Sequence, residues 1–216
     1  EPPESSAPSA SAPVGVEQEL LPPIGPPAWT ETRSEPDAMS SGRSRPKTIV
    51  FLVMDTVRGD HLSVCGYERP TSPTLDKLKV DGATVSCEAY TPAPWTLPSH
   101  ASYFTGVPVP EHGSLFVSDS AIALTPKLQV RPLDEKFDTL AEQLEGDGYQ
   151  TAFVSANPIL KEESGVLQGF QKHFTSDADG IIRGKKVRQA VEKVLKELDP
   201  AKPLFLFVNI YDAHDP

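Results

Sequence analysis

Residues 47–55 carry the sequence KTIVFLVMD, an unbroken apolar run that ends at a carboxylate, Asp55. Branched and aromatic side chains dominate the run, and polar residues do not alternate with them. This pattern is typical of a strand that is covered on both faces. We therefore predict that this stretch forms a central strand of a parallel sheet. Ligands of parallel sheets gather beyond the carboxyl ends of the strands, which makes Asp55 the first candidate site residue.

Helical and strand-like patterns alternate along the rest of the chain. Their order favours right-handed crossovers and predicts an α/β fold, with a mostly parallel central sheet flanked by helices. Between Gly106 and Asp134 there is no strong period, and we expect this stretch to cover part of a site. One predicted helix begins at Ser72-Pro73 and closes at Gly82, and three more lie over 96–105, 137–144 and 187–198. The predicted strands lie over 84–90, 151–154 and 204–210.

Residues 94–102, with the sequence PWTLPSHAS, place a hydroxyl where a helix begins. We predict Thr96 as the N-cap, Pro98 in the first turn and Gly106 as the stop signal. The amides of a helix start favour a bound anion by ~0.3 to 1 kcal/mol. Thr96 is therefore a candidate nucleophile, although most capping threonines are purely structural.

Several motifs, in this order along the chain, resemble the N-terminal part of a sulfatase domain of the alkaline phosphatase superfamily. The resemblance implies an alkaline phosphatase-like fold and metal-dependent hydrolysis of sulfate or phosphate esters. It covers residues 47–216, and it implies a domain that continues beyond residue 216 with further metal ligands. The motifs are Asp55 after its strand, RPTSPTLDKL at 69–78, WTLPSHAS at 95–102, Thr105-Gly106 and Glu111-His112-Gly113.

The resemblance assigns roles to individual residues. Asp55 would be a metal ligand, Thr96 the nucleophile and a second ligand, and His214 a substrate contact. His100 stands where the family's sulfatases carry arginine, so it would be a weaker, pH-dependent catalytic contact to the anion. Asn157, after a predicted strand, is a candidate polar contact. The resemblance implies a divalent metal ion, with Ca²⁺ the family's ion and Zn²⁺ or Mn²⁺ compatible with a threonine.

Threonine at the nucleophile position changes the expected chemistry. The family's sulfatases oxidise a cysteine or serine to formylglycine, whereas Thr96 bears a β-methyl group and its oxidation would give a ketone. Unmodified threonine is the nucleophile in phosphodiesterase and phosphoryl-transferase branches of the superfamily. The sequence thus predicts a sulfuric or phosphoric ester hydrolase, with phosphate mono- or diesters ranked at least equal to sulfate esters. A phosphoryl transferase and a noncatalytic binding protein are the alternatives.

Charge and composition limit the partners and the compartment. A formal net charge of −10 without a basic stripe argues against nucleic acid and anionic membranes, and favours a small anionic ester bound at a local positive site. We expect no membrane insertion of this chain. Residues 1–46, rich in proline, serine and alanine, predict a disordered tail or linker before the sulfatase-like domain over 47–216. The tail and the resemblance together predict a periplasmic or extracellular protein, and they are compatible with an original lipid anchor.

Two cysteines and several histidines complete the set of reactive side chains. Cys65 and Cys87 would form one disulfide in an oxidising compartment, worth ~3 kcal/mol in the chain-entropy model. The alternative, which we favour here, is two buried thiols. His112, in a glycine-bearing turn, is expected to make structural hydrogen bonds, and His173 is expected at the surface or at the edge of the core. The loop residues Asp60-His61 are left out of the site.

Overall fold

The computed structural model describes residues 47–117, 122–125, 128–176 and 184–214. The predicted tail over 1–46 therefore lies outside the described residues. No helix in the described part of the chain is long and apolar enough to cross a membrane. The strands are β1 (Thr48–Met54), β2 (Ile122–Thr125), β3 (Leu128–Val130), β4 (Gln150–Ser155), β5 (Lys172–Phe174) and β6 (Leu204–Ile210), and the helices are α1 (Pro73–Val80), α2 (Thr96–Thr105), α3 (Val109–His112), α4 (Leu140–Gly146) and α5 (Gly184–Lys196).

Four strands form a parallel sheet in the order β1-β6-β4-β5, and β2 and β3 form a separate antiparallel pair. β6 pairs with β1 up to Met54↔Ile210 and with β4 up to Ser155↔Asn209. Because these strands run in one direction, their carboxyl ends meet at one edge of the sheet. The register therefore brings the residues that follow β1, β4 and β6 close together.

Helices cover both faces of the sheet. On one face Phe153 and Phe207 of the central strands pack in one apolar cluster with Phe104 of α2. On the other face Val154 of β4 packs in a second cluster with Val187 of α5. Burial of such a side chain contributes about 1.5–3 kcal/mol. The predicted α/β fold with a parallel sheet flanked by helices is confirmed.

Among the described strands β1 lies at the edge of the sheet, not in the centre as predicted. Its side chains alternate between half-buried and exposed, and Val50 remains 57% exposed. α5 packs against β4, β5 and β6, which leaves the face of β1 with Val50, Leu52 and Met54 open in the described structure. An unbroken apolar run indicates that both faces of a strand are suited to burial. It does not indicate which strands and helices lie beside that strand.

The predicted strand over residues 84–90 is absent, and this segment is exposed. Cys87, within it, is joined to Cys65 by a disulfide with a Cα–Cα distance of 5.6 Å, which is an ordinary separation for such a bond. The expectation of two buried thiols was therefore wrong. The alternation of polar and apolar residues here reflects an extended segment tied down by its disulfide rather than by strand pairing.

The helix predicted over 137–144 begins later, at Leu140. Thr139 is its N-cap and makes a capping box with Glu142: the Thr139 side chain accepts from the Glu142 amide, and the Glu142 carboxylate accepts from the Thr139 amide. This arrangement satisfies two of the amides that a helix start leaves unpaired. Phe137 packs against the core from outside the helix.

Candidate active site

A buried amide joins the carboxyl ends of the strands to the start of α2. The Nδ2 atom of Asn157 donates to Asp55 Oδ2 at 2.7 Å and to Thr96 Oγ1 at 3.0 Å. Its Oδ1 accepts from the Ile159 amide at 2.9 Å, and this contact fixes which end of the side chain faces the two oxygens. Asn209 also donates to Asp55 Oδ2, at 3.3 Å. The position of the Asp55 carboxylate is thus set by two amides.

Thr96 is the first residue of α2 and not its cap. Trp95 is the N-cap, with extended backbone, and no side chain caps this helix start, so the prediction of Thr96 as the N-cap was wrong. The predicted stop was right, because Gly106 ends the helix with a φ of 68°. Since the Thr96 hydroxyl is not used for capping, it is directed at Asn157.

Thr56, directly after Asp55, has a φ of 57°. A β-branched residue in the left-handed region is strained by about 1–3 kcal/mol, and such strain clusters at functional sites. Asp55 itself is held by its amide, which donates to the Ile210 carbonyl at 2.8 Å. The chain therefore turns sharply immediately beyond the candidate metal ligand.

His100 is buried one turn along α2, in contact with the rings of Tyr103 and Phe207. Its Nδ1 donates to the Thr96 carbonyl at 2.8 Å, because a carbonyl oxygen only accepts. The Nε2 atom therefore carries a lone pair, and no group in the described structure bonds to it. Burial lowers the pKa of His100, against the raising effects of the Thr96 carbonyl and of Asp55. The ring is neutral at neutral pH and does not supply the positive charge expected at an arginine position.

His214 lies just beyond β6, with its ring stacked on Tyr211 at a centroid distance of 4.1 Å. Its amide donates to the Tyr211 carbonyl, so the short turn after the strand orients the imidazole. Burial raises the pKa of Tyr211, and the negative charge of Asp55 adds to this. The Tyr211 hydroxyl is therefore protonated at neutral pH.

One cavity of about 420 Å³ brings the predicted site residues together. Asp55, Thr96, His100 and His214 all line it. Among the described residues that line it there is no lysine or arginine. A negatively charged ligand would therefore meet one carboxylate and neither lysine nor arginine among the described residues of the cavity.

The remaining polar candidates lie elsewhere. His112 makes structural hydrogen bonds, as predicted: its Nδ1 accepts from the Ser114 amide, and its Nε2 therefore donates to Ser102 Oγ at 2.9 Å. This tautomer cannot deprotonate Ser102, so the two residues are not a nucleophile and its base. Asp60 forms an exposed ion pair with Arg58 and contacts His61. His173 is exposed in β5, as expected.

Two features of the site were not predicted. Asn209 lies inside an apolar strand pattern, and its contact with Asp55 depends on the pairing of β6 with β1. Phe116 lines the cavity from the stretch without a clear period and contacts Trp95. That stretch was expected to cover part of the site, but no local pattern singles out Phe116.

Comparison with known proteins gives the family. The Sulfatase family model matches residues 47–216. The chain belongs to the sulfatase family. Arylsulfatase J from Mus musculus is 28% identical over 218 residues, covering 84% of this chain and 34% of the relative. An arylsulfatase from Clostridium perfringens is 37% identical over 140 residues, covering 61% of this chain and 26% of the relative. The chain thus spans about a third or less of the length of these sulfatase-family proteins.

Solved structures share the fold at low sequence identity. BT4656 in complex with its substrate D-glucosamine-2-N,6-O-disulfate has a TM-score of 0.61 and 18% identity, covering 77% of this chain and 34% of that chain. The C-terminal periplasmic domain of EcEptC from Escherichia coli, in complex with Zn, has a TM-score of 0.54 and 19% identity, covering 77% and 44%. A protein in the alkaline phosphatase superfamily from Vibrio parahaemolyticus has the same fold. The sulfatase-family chain therefore has an alkaline phosphatase-like fold.

Proposed function

We propose that this protein is a metal-dependent hydrolase of sulfate or phosphate esters with unmodified Thr96 as its nucleophile. The observation that supports this most directly is the amide of Asn157, which links the Asp55 carboxylate and the Thr96 hydroxyl within one cavity. A hydroxyl placed at a helix start, beside a carboxylate and free of any capping role, suits attack on an anionic ester.

The residues of the chain would position and stabilise the reacting oxygen. Asn157 donates to Thr96 Oγ1, and a hydrogen bond to the charged form favours negative charge there. As the hydroxyl proton passes to solvent, Oγ1 bonds to the phosphorus or sulfur. The bond to the leaving oxygen breaks with its electron pair, and the released alcohol takes up a proton. Water then hydrolyses the covalent intermediate and restores Thr96.

The charges in the cavity support a divalent cation. Asp55 and Thr96 offer oxygen ligands, which fit part of a site for Ca²⁺, Zn²⁺ or Mn²⁺, and His100 offers an unpartnered Nε2 of the kind that Zn²⁺ binds and Ca²⁺ does not. Within the described residues no group of three or more His, Cys, Asp or Glu could hold an ion. Asp55 and Thr96 would therefore belong to a larger set of ligands. A bound cation would attract the anionic ester and lower the pKa of a coordinated oxygen.

The first test is turnover of paired aryl sulfate, phosphate monoester and phosphodiester substrates with calcium, zinc or manganese added in turn. Thr96→Ala is expected to lower kcat to background because the nucleophile is lost, and to change the free energy of unfolding by about 1 kcal/mol, the size of one hydrogen bond. Thr96→Ser, which keeps the hydroxyl, is the matched control and should retain turnover. Full activity in Thr96→Ala would eliminate the mechanism.

A phosphoryl transferase is the second candidate. The observation that favours it is the structural similarity to the EcEptC domain and to a phosphoethanolamine transferase from Campylobacter jejuni. A threonine-linked phosphoryl group would then pass to an alcohol rather than to water. Product analysis with and without a competing alcohol separates the two activities. No turnover of any ester, with ligand binding retained, would favour a noncatalytic binding protein.

We also infer a location outside the cytoplasm, which the disulfide supports. The bond between Cys65 and Cys87 is of a kind that persists in oxidising compartments. The structural relatives include a periplasmic domain. Both observations support the proposal of a periplasmic or extracellular protein, whose substrate would be a small anionic ester.

A further inference from the structure

Two aromatic rings line the cavity that also contains Thr96. Trp95 and Phe116 both line the cavity, and their ring centroids are 4.3 Å apart at an interplanar angle of 34°. Phe116 is 48% exposed. Aromatic rings that line a concave, largely apolar cavity are the kind of surface that ligands contact.

The backbone holds both rings in place. Trp95 is the N-cap of α2, so its side chain leaves the chain one residue before Thr96. Phe116 forms a β-bridge with Val130, and hydrogen bonds on either side of it join residues 115 and 117 to 131 and 129. The exposed ring is therefore fixed by strand-like pairing, and the distance from the ring pair to Thr96 is set by the fold.

Three hydroxyls in the described part of the adjoining wall contact one another or a backbone carbonyl. Thr91 Oγ1 bonds to the hydroxyls of Ser99 and Tyr103, at 2.9 Å each, and to the Ala93 carbonyl. Ser99 Oγ also donates to the Ala93 carbonyl. These hydroxyls are used within the wall. A polyhydroxylated ligand beside these hydroxyls would replace fewer of the hydrogen bonds it loses to water than it would beside free donors, whereas a flat apolar ring has none to lose.

We propose that Trp95 and Phe116 form the subsite for the leaving alcohol and select a flat, weakly polar group over a polyhydroxylated sugar. This inference rests on the proposed function, because a leaving group is defined only by ester cleavage at Thr96. The ring of the ester stacks on the aromatic pair while its anionic group reaches towards Thr96. Loss of one stacking partner is expected to weaken binding about three- to tenfold.

Ligand binding tests the subsite without turnover. The chain has two tryptophans, Trp29 and Trp95, so a Trp29→Phe background leaves Trp95 as the fluorophore. Phenylphosphonate, titrated with divalent metal present, is expected to change its emission at lower concentration than methylphosphonate does. Phe116→Ala should raise the Kd for phenylphosphonate about three- to tenfold, and Phe116→Tyr should not. Equal affinity for the two phosphonates would overturn the proposal.

Kinetics then assign the subsite to the leaving group. Phe116→Ala should raise KM for aryl esters by a larger factor than KM for methyl and sugar esters. Tyr90→Ala is the matched control, since Tyr90 is 91% exposed and does not line the cavity. Phe116→Ala that alters all esters equally would overturn the inference while the hydrolase stands. Phenylphosphonate binding without turnover of any ester would instead reject the proposed function, and with it the role of a leaving-group subsite.

Discussion

Asn157 has every hydrogen-bonding group of its side chain engaged at the strand ends. Its Nδ2 donates to Asp55 and Thr96, and its Oδ1 accepts from the Ile159 amide. Truncation leaves buried polar groups without partners, which costs about 1–3 kcal/mol. Asn157→Ala is therefore expected to lower the free energy of unfolding by that amount and to reduce kcat, as the Thr96 oxygen loses its donor.

Urea unfolding and steady-state kinetics measure the two effects of Asn157→Ala. Asn209→Ala serves as the comparison, because the Asn209 amide donates to Asp55 over a longer distance, 3.3 Å, from a neighbouring strand. Its kcat should fall less than that of Asn157→Ala, whose side chain also donates to Thr96. Equal loss of kcat in both variants would mean that the hydrogen bond from Asn157 to Thr96 makes no separate contribution to catalysis.

His112 predicts how stability changes with pH. Burial lowers the pKa of His112 below its ordinary value of 6.5, so the unfolded chain takes up the proton first as the pH falls. Stability attributable to this residue is complete above that value and is lost as the pH falls below it. Protonation would also remove the lone pair that accepts from the Ser114 amide.

Urea midpoints at pH 7.5 and pH 5 measure this loss. His112→Asn, which keeps an acceptor near Nδ1, should show a smaller difference between the two pH values than the unsubstituted protein. His173→Asn, at an exposed position, is the control and should leave the difference unchanged. His100 contributes with the same sign, since its pKa is also lowered, so some pH dependence should remain. An unchanged difference in His112→Asn would contradict the assignment.

Which site residues can be predicted from sequence depends on how local their signals are. Asp55 and Thr96 interrupt or begin an element, so a strand end and a helix start mark them directly. Asn209 carries no such mark, because its role depends on the pairing of β6 with β1 and β4. The charge state of His100 could not be predicted from the sequence either, since it follows from burial among residues that are distant in the chain.

At the level of elements, the contact between α4 and the loop before β5 depends on one glycine. Gly169 has a φ of +79°, and a Cβ there would lie 2.3 Å from the Glu142 amide nitrogen and 2.7 Å from the Ala141 carbonyl carbon. Gly148 has a φ of +88°, and a Cβ there would meet no other atom within 4 Å among the described residues. Both glycines have a positive φ, but only at Gly169 would an added Cβ overlap with neighbouring atoms.

The pair separates backbone strain from steric overlap. Gly148→Ala is expected to cost about 1–2 kcal/mol, the strain of a left-handed alanine. Gly169→Ala must in addition displace the backbone of α4 and should cost more than about 4 kcal/mol, a size reserved for severe defects. Urea unfolding measures both. Similar values for the two variants would show that α4 moves away at little cost.

The boundaries of helices and strands were predicted correctly where a feature of the neighbouring sequence sets them. β6 was placed correctly because its apolar run has sharp ends, and α2 ends at Gly106 as expected. The strand expected over 84–90 was wrong because a short alternation of polar and apolar residues does not ensure a pairing partner. Strand pairing is a contact between distant segments, whereas capping and glycine stops act within a few residues.

For the whole molecule, the alternation of helices and strands was enough to predict the fold class. It was not enough to predict the order of the strands in the sheet. Parallel pairing follows from the crossovers, but the apolar run of β1 suits a central and an edge position equally. In the described structure one face of β1 is open, with Val50 and Leu52 exposed. Matched substitutions on β1 and on β4 test whether that face is open in solution.

Val50→Thr and Val154→Thr exchange the same methyl for a hydroxyl in the two environments. Val154 is fully buried against the cluster that includes α5, and an unpaired hydroxyl there should cost about 1–3 kcal/mol. Val50 is 57% exposed, so its variant should remain within about 0.5 kcal/mol of the unsubstituted protein. Urea unfolding compares them. If Val50→Thr proves as costly as Val154→Thr, the open face of β1 is covered in solution, as the apolar sequence of both faces suggests.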